Sequence, residues 1–227
     1  MTQGLDKCWT AVRRATLSST RKSAIFVGHV LSSDGIKPDP QKVEAIIAMQ
    51  TLAKPKDLQK FLGIITYLSK FIPNMSQKRA LFYQLLQKDA KWSWRKGEDD
   101  AFTGLKAAIS SAPVVKFFDS KEPVTLSVDG GSKGLGAIVL QNDRSMAYAS
   151  KALTLSQQNY AKLKKRDARN IVFGCKRFHV YLYAHREVTV ATDHKPLQTI
   201  LKIPIHQAPL HVQKMILRTK CYSLNVS

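Results

Sequence analysis

Cysteine is scarce in this chain: 3 in 227 residues, at Cys8, Cys175 and Cys221. The number is odd, the spacing is wide, and no C-x-x-C pair occurs. A disulfide framework and a cysteine zinc site are both excluded as organising features. The six histidines show no metal-ligand pairing. No apolar run is long enough to cross a bilayer, and the N-terminus lacks the charged-then-apolar order of a signal peptide. The reading from these absences is an intracellular protein, cytoplasmic or nuclear, with no membrane partner. Acidic residues are also few, with 16 Asp and Glu against 36 Lys and Arg, a formal charge of +20. So basic a chain favours a polyanion, and nucleic acid is the first candidate.

Enough apolar sequence is present for a core, with 44% hydrophobic residues and aromatics spread along the chain. Residues 1–23 are polar and basic without a clear period. Ala24-Ile-Phe-Val-Gly-His-Val-Leu31 is strand-like, and Ser-Ser-Asp-Gly35 predicts a tight turn into a second strand, a hairpin. Asp39-Pro40 predicts a helix start, an acidic cap followed by proline at the first helical position. Leu58, Phe61, Leu62, Ile65, Leu68 and Phe71 recur at three-to-four spacing and predict one amphipathic helix. A third helix is expected near 76–88 and another over 99–111. Strands are expected at 124–129, 136–142, 145–150 and 187–193. A long helix is expected over 156–183, short helices near 196–202 and 208–219, and a strand from Tyr222.

Two of these strands end in an acid: Val124-Thr-Leu-Ser-Val-Asp129 and Val188-Thr-Val-Ala-Thr-Asp193. Two strand-end aspartates at one sheet edge suggest a divalent-metal site. The segments around them, Asp129-Gly-Gly-Ser-Lys-Gly-Leu-Gly136, Tyr148-Ala-Ser-Lys-Ala-Leu153 and Thr192-Asp-His-Lys-Pro-Leu197, resemble the ribonuclease H domain of Ty3/Gypsy-type retrotransposon Pol polyproteins. Upstream, Phe26-Val-Gly-His-Val-Leu31 with Ser-Ser-Asp-Gly-Ile-Lys-Pro-Asp-Pro40 resembles the end of the palm and the primer grip of the same reverse transcriptases. Leu58-Gln-Lys-Phe-Leu-Gly-Ile-Ile-Thr-Tyr67 resembles their thumb.

The resemblance implies an α/β fold: a truncated ribonuclease H-like mixed sheet with flanking helices, preceded by a small helical thumb and a palm-derived hairpin. It divides the chain into a palm remnant at 1–37, a thumb at 38–90, a connecting segment at 91–123 and a ribonuclease H-like domain at 124–227. No Tyr-x-Asp-Asp motif occurs, so DNA synthesis by this chain alone is not expected. The implied activity is metal-dependent hydrolysis of the RNA strand of an RNA–DNA hybrid. The implied cofactor is a two-ion Mg²⁺ (or Mn²⁺) site. The implied partners are RNA–DNA hybrid or duplex nucleic acid and, for an intact element, the rest of a Pol polyprotein.

The family holds its metals with four carboxylates. Asp129 and Asp193 match the first and third. The second, a glutamate on the long helix, is rewritten as Lys164-Lys-Arg-Asp167. Counting from Tyr160 puts Arg166 there, and counting back from Ile171 puts Asp167 there. Asp167 falls on a stripe with Leu163, Ile171, Cys175, Phe178 and Leu182, which favours it as the third ligand. The fourth would lie beyond Ser227, so cleavage is expected to be weak or lost. Ala184, in place of a helix-ending glycine, and the polar run Ala168-Arg-Asn170 are expected to weaken the domain.

Nucleic-acid contacts are implied at Phe26, Gly28 and His29 in the primer-grip-like hairpin and at Gln59, Gly63 and Tyr67 along one helix face. For the last three the plainer alternative is that Tyr67 joins the core and Gly63 relieves packing. A non-catalytic nucleic-acid-binding protein on the same fold is the second reading of the whole chain.

Overall fold

The computed structural model describes residues 23–87, 90–131, 134–154, 165–183, 185–192, 207–208 and 210–226. The predicted helix near 196–202 and Ala184 lie outside them. So do residues 156–164 of the predicted long helix.

The chain enters a three-stranded antiparallel sheet of β1 (Ser23–Phe26), β2 (His29–Ser32) and β3 (Gly35–Pro38). The run 24–31, which reads as one strand, folds back on itself at Val27-Gly28. Both residues have positive φ, 46° and 66°, and Phe26 then pairs with His29. This is the two-residue hairpin geometry that suits the twist of paired strands, and glycine adopts it without steric cost. The apolar composition masks the turn. β3 is tied to the link after the helices through Ile36 and Val115, whose backbones exchange hydrogen bonds of 2.7 and 3.0 Å.

Helix α1 (Pro40–Ile47) starts where Asp39 and Pro40 predict; the Asp39 carboxylate accepts from the Gln41 amide at 3.1 Å. Helix α2 (Pro55–Tyr67) continues as a 3₁₀ turn, Leu68–Phe71. The predicted stripe Leu58, Phe61, Leu62, Ile65, Leu68 and Phe71 is buried throughout. α3 (Met75–Leu85) and α4 (Lys96–Ser110) pack around it. Phe61 is the hub, its ring 4.7 Å from Phe102 and 6.3 Å from Phe82. Trp94 stacks on Phe82 at 5.8 Å and on Trp92 at 5.9 Å. The segment that reads as a connector therefore completes the core of the helices before it.

A second core lies under a five-stranded mixed sheet in the order β6-β5-β4-β7-β8. Its strands are β4 (Val124–Gly130), β5 (Gly134–Gln141), β6 (Arg144–Ala152), β7 (Val188–Ala191) and β8 (Leu224–Val226). β4, β5 and β6 pair antiparallel, and β7 joins β4 in parallel, as does β8 with β7. Helix α5 (Lys165–Arg177) covers one face with Ile171 and Cys175, and Phe178 ends it. A separate short turn, α6 (His179–Leu182), follows, so the described part of the predicted long helix is two pieces. α7 (Leu210–Thr219) lies against α5. Buried Gln141 anchors the preceding link, donating to the Asp119 carbonyl at 2.7 Å and accepting from its amide at 3.0 Å.

The two cores meet where α3 lies on β6, and the Ser76 amide donates to the Ser150 hydroxyl at 2.8 Å. Because Phe61 touches both neighbouring helices, Phe61→Ala is expected to cost about 3–5 kcal/mol. A denaturant titration of the two proteins measures it.

Candidate nucleic-acid interface and metal edge

The Val27-Gly28 turn docks on the side of α2. The His29 ring stacks on Tyr67 with centroids 4.8 Å apart and an interplanar angle of 7°. It also meets Phe71 edge-on at 5.4 Å. The Tyr67 hydroxyl donates to the Val27 carbonyl, and the Lys42 ammonium lies 4.8 Å over the Tyr67 ring. Gly28 is packed closely here; an added Cβ would stand 3.2 Å from the Tyr67 hydroxyl and overlap the tip of Lys42. Residues 28, 29 and 67, chosen from two separate motifs, are thus in one contact. Tyr67 is 38% exposed and outside the buried stripe, so it belongs to this surface rather than to the core.

The other chosen residues surround it. Phe26 is 44% exposed beside exposed Ile25 and Val27. Around Gly63 the space is open, with nothing within 4 Å of an added Cβ. Gly63 lines a groove of ≈ 360 Å³ with Lys42, Ile46, Met49, Ile64 and Tyr67. Gln59 is exposed one helical turn earlier on the same face. Sequence reasoning missed Lys42; its only signal was its place in the first turns of the predicted helix.

His29 is held neutral. Burial pushes its pKa down to about 4, with Lys70 and Lys42 adding to the effect and Asp39 opposing it. Its Nδ1 is buried with no hydrogen-bond partner among the described residues. The unfolded chain takes up this proton near 6.5 and the folded protein only near 4. Stability contributed by neutral His29 is therefore complete above the higher value and is lost as pH falls through the interval. Melting wild type and His29→Gln between about pH 7 and pH 4 should show the wild-type advantage shrinking with acid; a constant difference would contradict it.

The candidate metal edge is built on β4. Val124, Leu126 and Val128 alternate into the core, Thr125 and Ser127 take the other face, and Asp129 stands exposed near the strand end. Asp129 is exposed opposite Gly136 of β5, and no described side chain pairs with its carboxylate. β7 runs parallel to β4 with Ser127 beside Ala191, so both strands end at one edge. Asp193, two residues past β7, lies outside the described residues. Asp167 is in α5, one turn before Asn170, and its side chain is likewise outside them. Among the described residues no three His, Cys, Asp or Glu side chains come together.

Asn170, expected to weaken the domain, is 2% exposed and lies against Gly130. A Cβ on Gly130 would stand 2.0 Å from the Asn170 Nδ2. The Asn170 amide of α5 therefore sits against the β4 end next to Asp129 in space that a side chain at residue 130 would fill. Gly130→Ala is expected to destabilise by about 1–3 kcal/mol, read from the denaturation midpoint; an unchanged midpoint would show that α5 can yield there.

Comparison with known proteins agrees with the motifs. Residues 94–190 match the RNase H-like domain found in reverse transcriptase. The retrovirus-related Pol polyprotein from transposon 297 of Drosophila melanogaster is 34% identical over 195 residues, covering 86% of this chain and 17% of the relative. The Pol polyprotein from transposon opus, also of Drosophila melanogaster, is 30% identical over 187 residues, 76% of this chain and 18% of the relative. The Tf2-3 polyprotein of Schizosaccharomyces pombe is 28% identical over 201 residues, 86% and 15%. The chain thus spans less than a fifth of the curated relatives it matches. The foamy viral protease-reverse transcriptase in complex with RNA/DNA hybrid shares the fold with a TM-score of 0.75 at 16% identity, covering 91% of this chain and 29% of that one. Its complex with dsDNA gives 0.73 at 17%, covering 91% and 44%.

Proposed function

We propose that this chain, a relative of retrotransposon Pol polyproteins carrying the RNase H-like domain of reverse transcriptases, binds RNA–DNA hybrid or duplex nucleic acid and retains weak hydrolysis of the RNA strand. The observation that supports hydrolysis is exposed Asp129 at an edge where two parallel strands end together. An exposed carboxylate without a described cationic partner suits a hard divalent ion, which takes oxygen donors. In this reading Asp129, Asp167 and Asp193 hold Mg²⁺ or Mn²⁺. When bound, two such ions supply an activated water and charge neutralisation at the leaving oxygen. Aspartate at 167 reaches one methylene less far than the family's glutamate, and Arg166 beside it adds a positive charge, so turnover is slow.

Binding is assigned to the hairpin and α2. Phe26 and Tyr67 offer rings for sugars, Gly63 lets a backbone approach, Gln59 offers an amide, and His29 and Gly28 hold the turn that presents them. Lysines around this face add phosphate contacts that weaken with salt. The foamy viral enzyme with the same fold was solved with RNA/DNA hybrid and with dsDNA.

A labelled RNA–DNA hybrid tests both parts. Binding without divalent ions that falls as salt rises is expected, together with slow RNA-strand cleavage in Mg²⁺ or Mn²⁺. Asp129→Asn should reduce cleavage to background and leave binding intact. Cleavage that survives Asp129→Asn would sink the hydrolytic assignment. Tight binding with no cleavage under either ion would instead establish the non-catalytic reading, which the His29–Tyr67–Lys42 surface favours because it is built of aromatic and basic side chains and no carboxylate.

A further inference from the structure

On the face of the sheet covered by α5, a second groove of ≈ 610 Å³ runs between α5, α7 and the β5–β6 edge. Its floor is apolar: Leu135, Leu153 and Val172 are buried, and Phe173 and Met215 are half-buried. Its rim carries Lys151, Lys176, Arg177, Lys214 and Arg218, all exposed. Among the described residues no acid lines it. Lys214 and Arg218 stand one helical turn apart, where like charges repel. Such a cluster works against folding, and a bound anion relieves it. The groove also begins beside the metal edge. Leu135 is the cross-strand partner of Gly130, the residue after Asp129, and Lys151 is the next partner outward.

We propose that this groove holds a single nucleic-acid strand, with phosphates on the cationic rim and bases against Phe173 and Met215. A positive channel with an apolar floor that offers an aromatic ring, here Phe173, is the arrangement that binds unpaired strands with little sequence preference. A duplex fits it less well, because its bases are stacked inside and its outer surface offers the apolar floor nothing. The ligand class follows from the nucleic-acid reading above, but the site is separate from the hairpin and from Asp129.

A fluorescein-labelled oligothymidylate, titrated without divalent ions and followed by anisotropy, tests the assignment. Lys176→Glu with Arg218→Glu should weaken binding on the order of tenfold and lower the salt slope by about 1.4, two phosphate contacts at ~0.7 each. Lys121→Glu with Arg144→Glu, also exposed but at the other end of the sheet, on the turn before β4 and at the start of β6, should change both far less. Phe173→Leu should weaken the single strand more than a duplex of the same length. Equal losses in the two charge-reversal pairs, or no loss in the groove pair, would overturn the proposal. If the groove pair melts early, Lys176→Gln with Arg218→Gln replaces it. The probe contains no RNA and the buffer no metal, so the result is independent of whether Asp129 supports hydrolysis.

Discussion

The central strand β4 is the constraint on which the candidate metal edge depends. Its alternation sends Val124, Leu126 and Val128 into the core beneath α5 and leaves Asp129 exposed at the strand end. A shift of one residue would bury the carboxylate and expose three valine-sized groups, so register is enforced by the whole apolar face. At the end of the strand the constraint changes from burial to contact. Gly130 lets Asn170 come against the backbone, which brings α5 beside the strand end. The parallel partner β7 then stops at the same edge. Composition of the core, absence of one side chain and strand direction together build that corner.

The hairpin and α2 make the other candidate surface by a different route. Tyr67 has one edge packed and the rest open, with His29 stacked on it and Lys42 above it. Burying a histidine near two lysines keeps it neutral, so the stack persists as an aromatic contact without adding to an already positive surface. The net charge of +20 makes such economy useful, since every further cation raises self-repulsion in the compact state. The same excess is concentrated in the groove between α5 and α7, where an apolar floor accompanies the charge.

Much of this was readable in advance. The stripe of α2 survived because six large apolar residues at helical spacing leave one way to bury them. Asp39-Pro40 opened its helix because cap and proline act locally. The mixed sheet expected from the motifs is present, with five strands. What the sequence left unread has physical causes. Val27-Gly28 sat within an apolar run whose period suits one strand, and a two-residue turn leaves almost no compositional trace. Trp92, Trp94 and α4 read as a connector because what they cover is set by a core formed more than thirty residues earlier. Asn170 looked like a defect because its neighbour across space, Gly130, is not its neighbour in sequence.

Local and periodic features were therefore settled by the chain's own order: helix starts, apolar faces, strand-end acids and the excess of positive charge. These rest on interactions within a few residues or on a repeat that the chain carries along its length. Which residues meet was settled by packing. The stacking of His29 on Tyr67, the seat of Asn170 against Gly130 and the joining of α5 and α7 around one basic groove all unite positions far apart in sequence. Such contacts depend on the direction in which each element leaves its core, and no single segment encodes that direction.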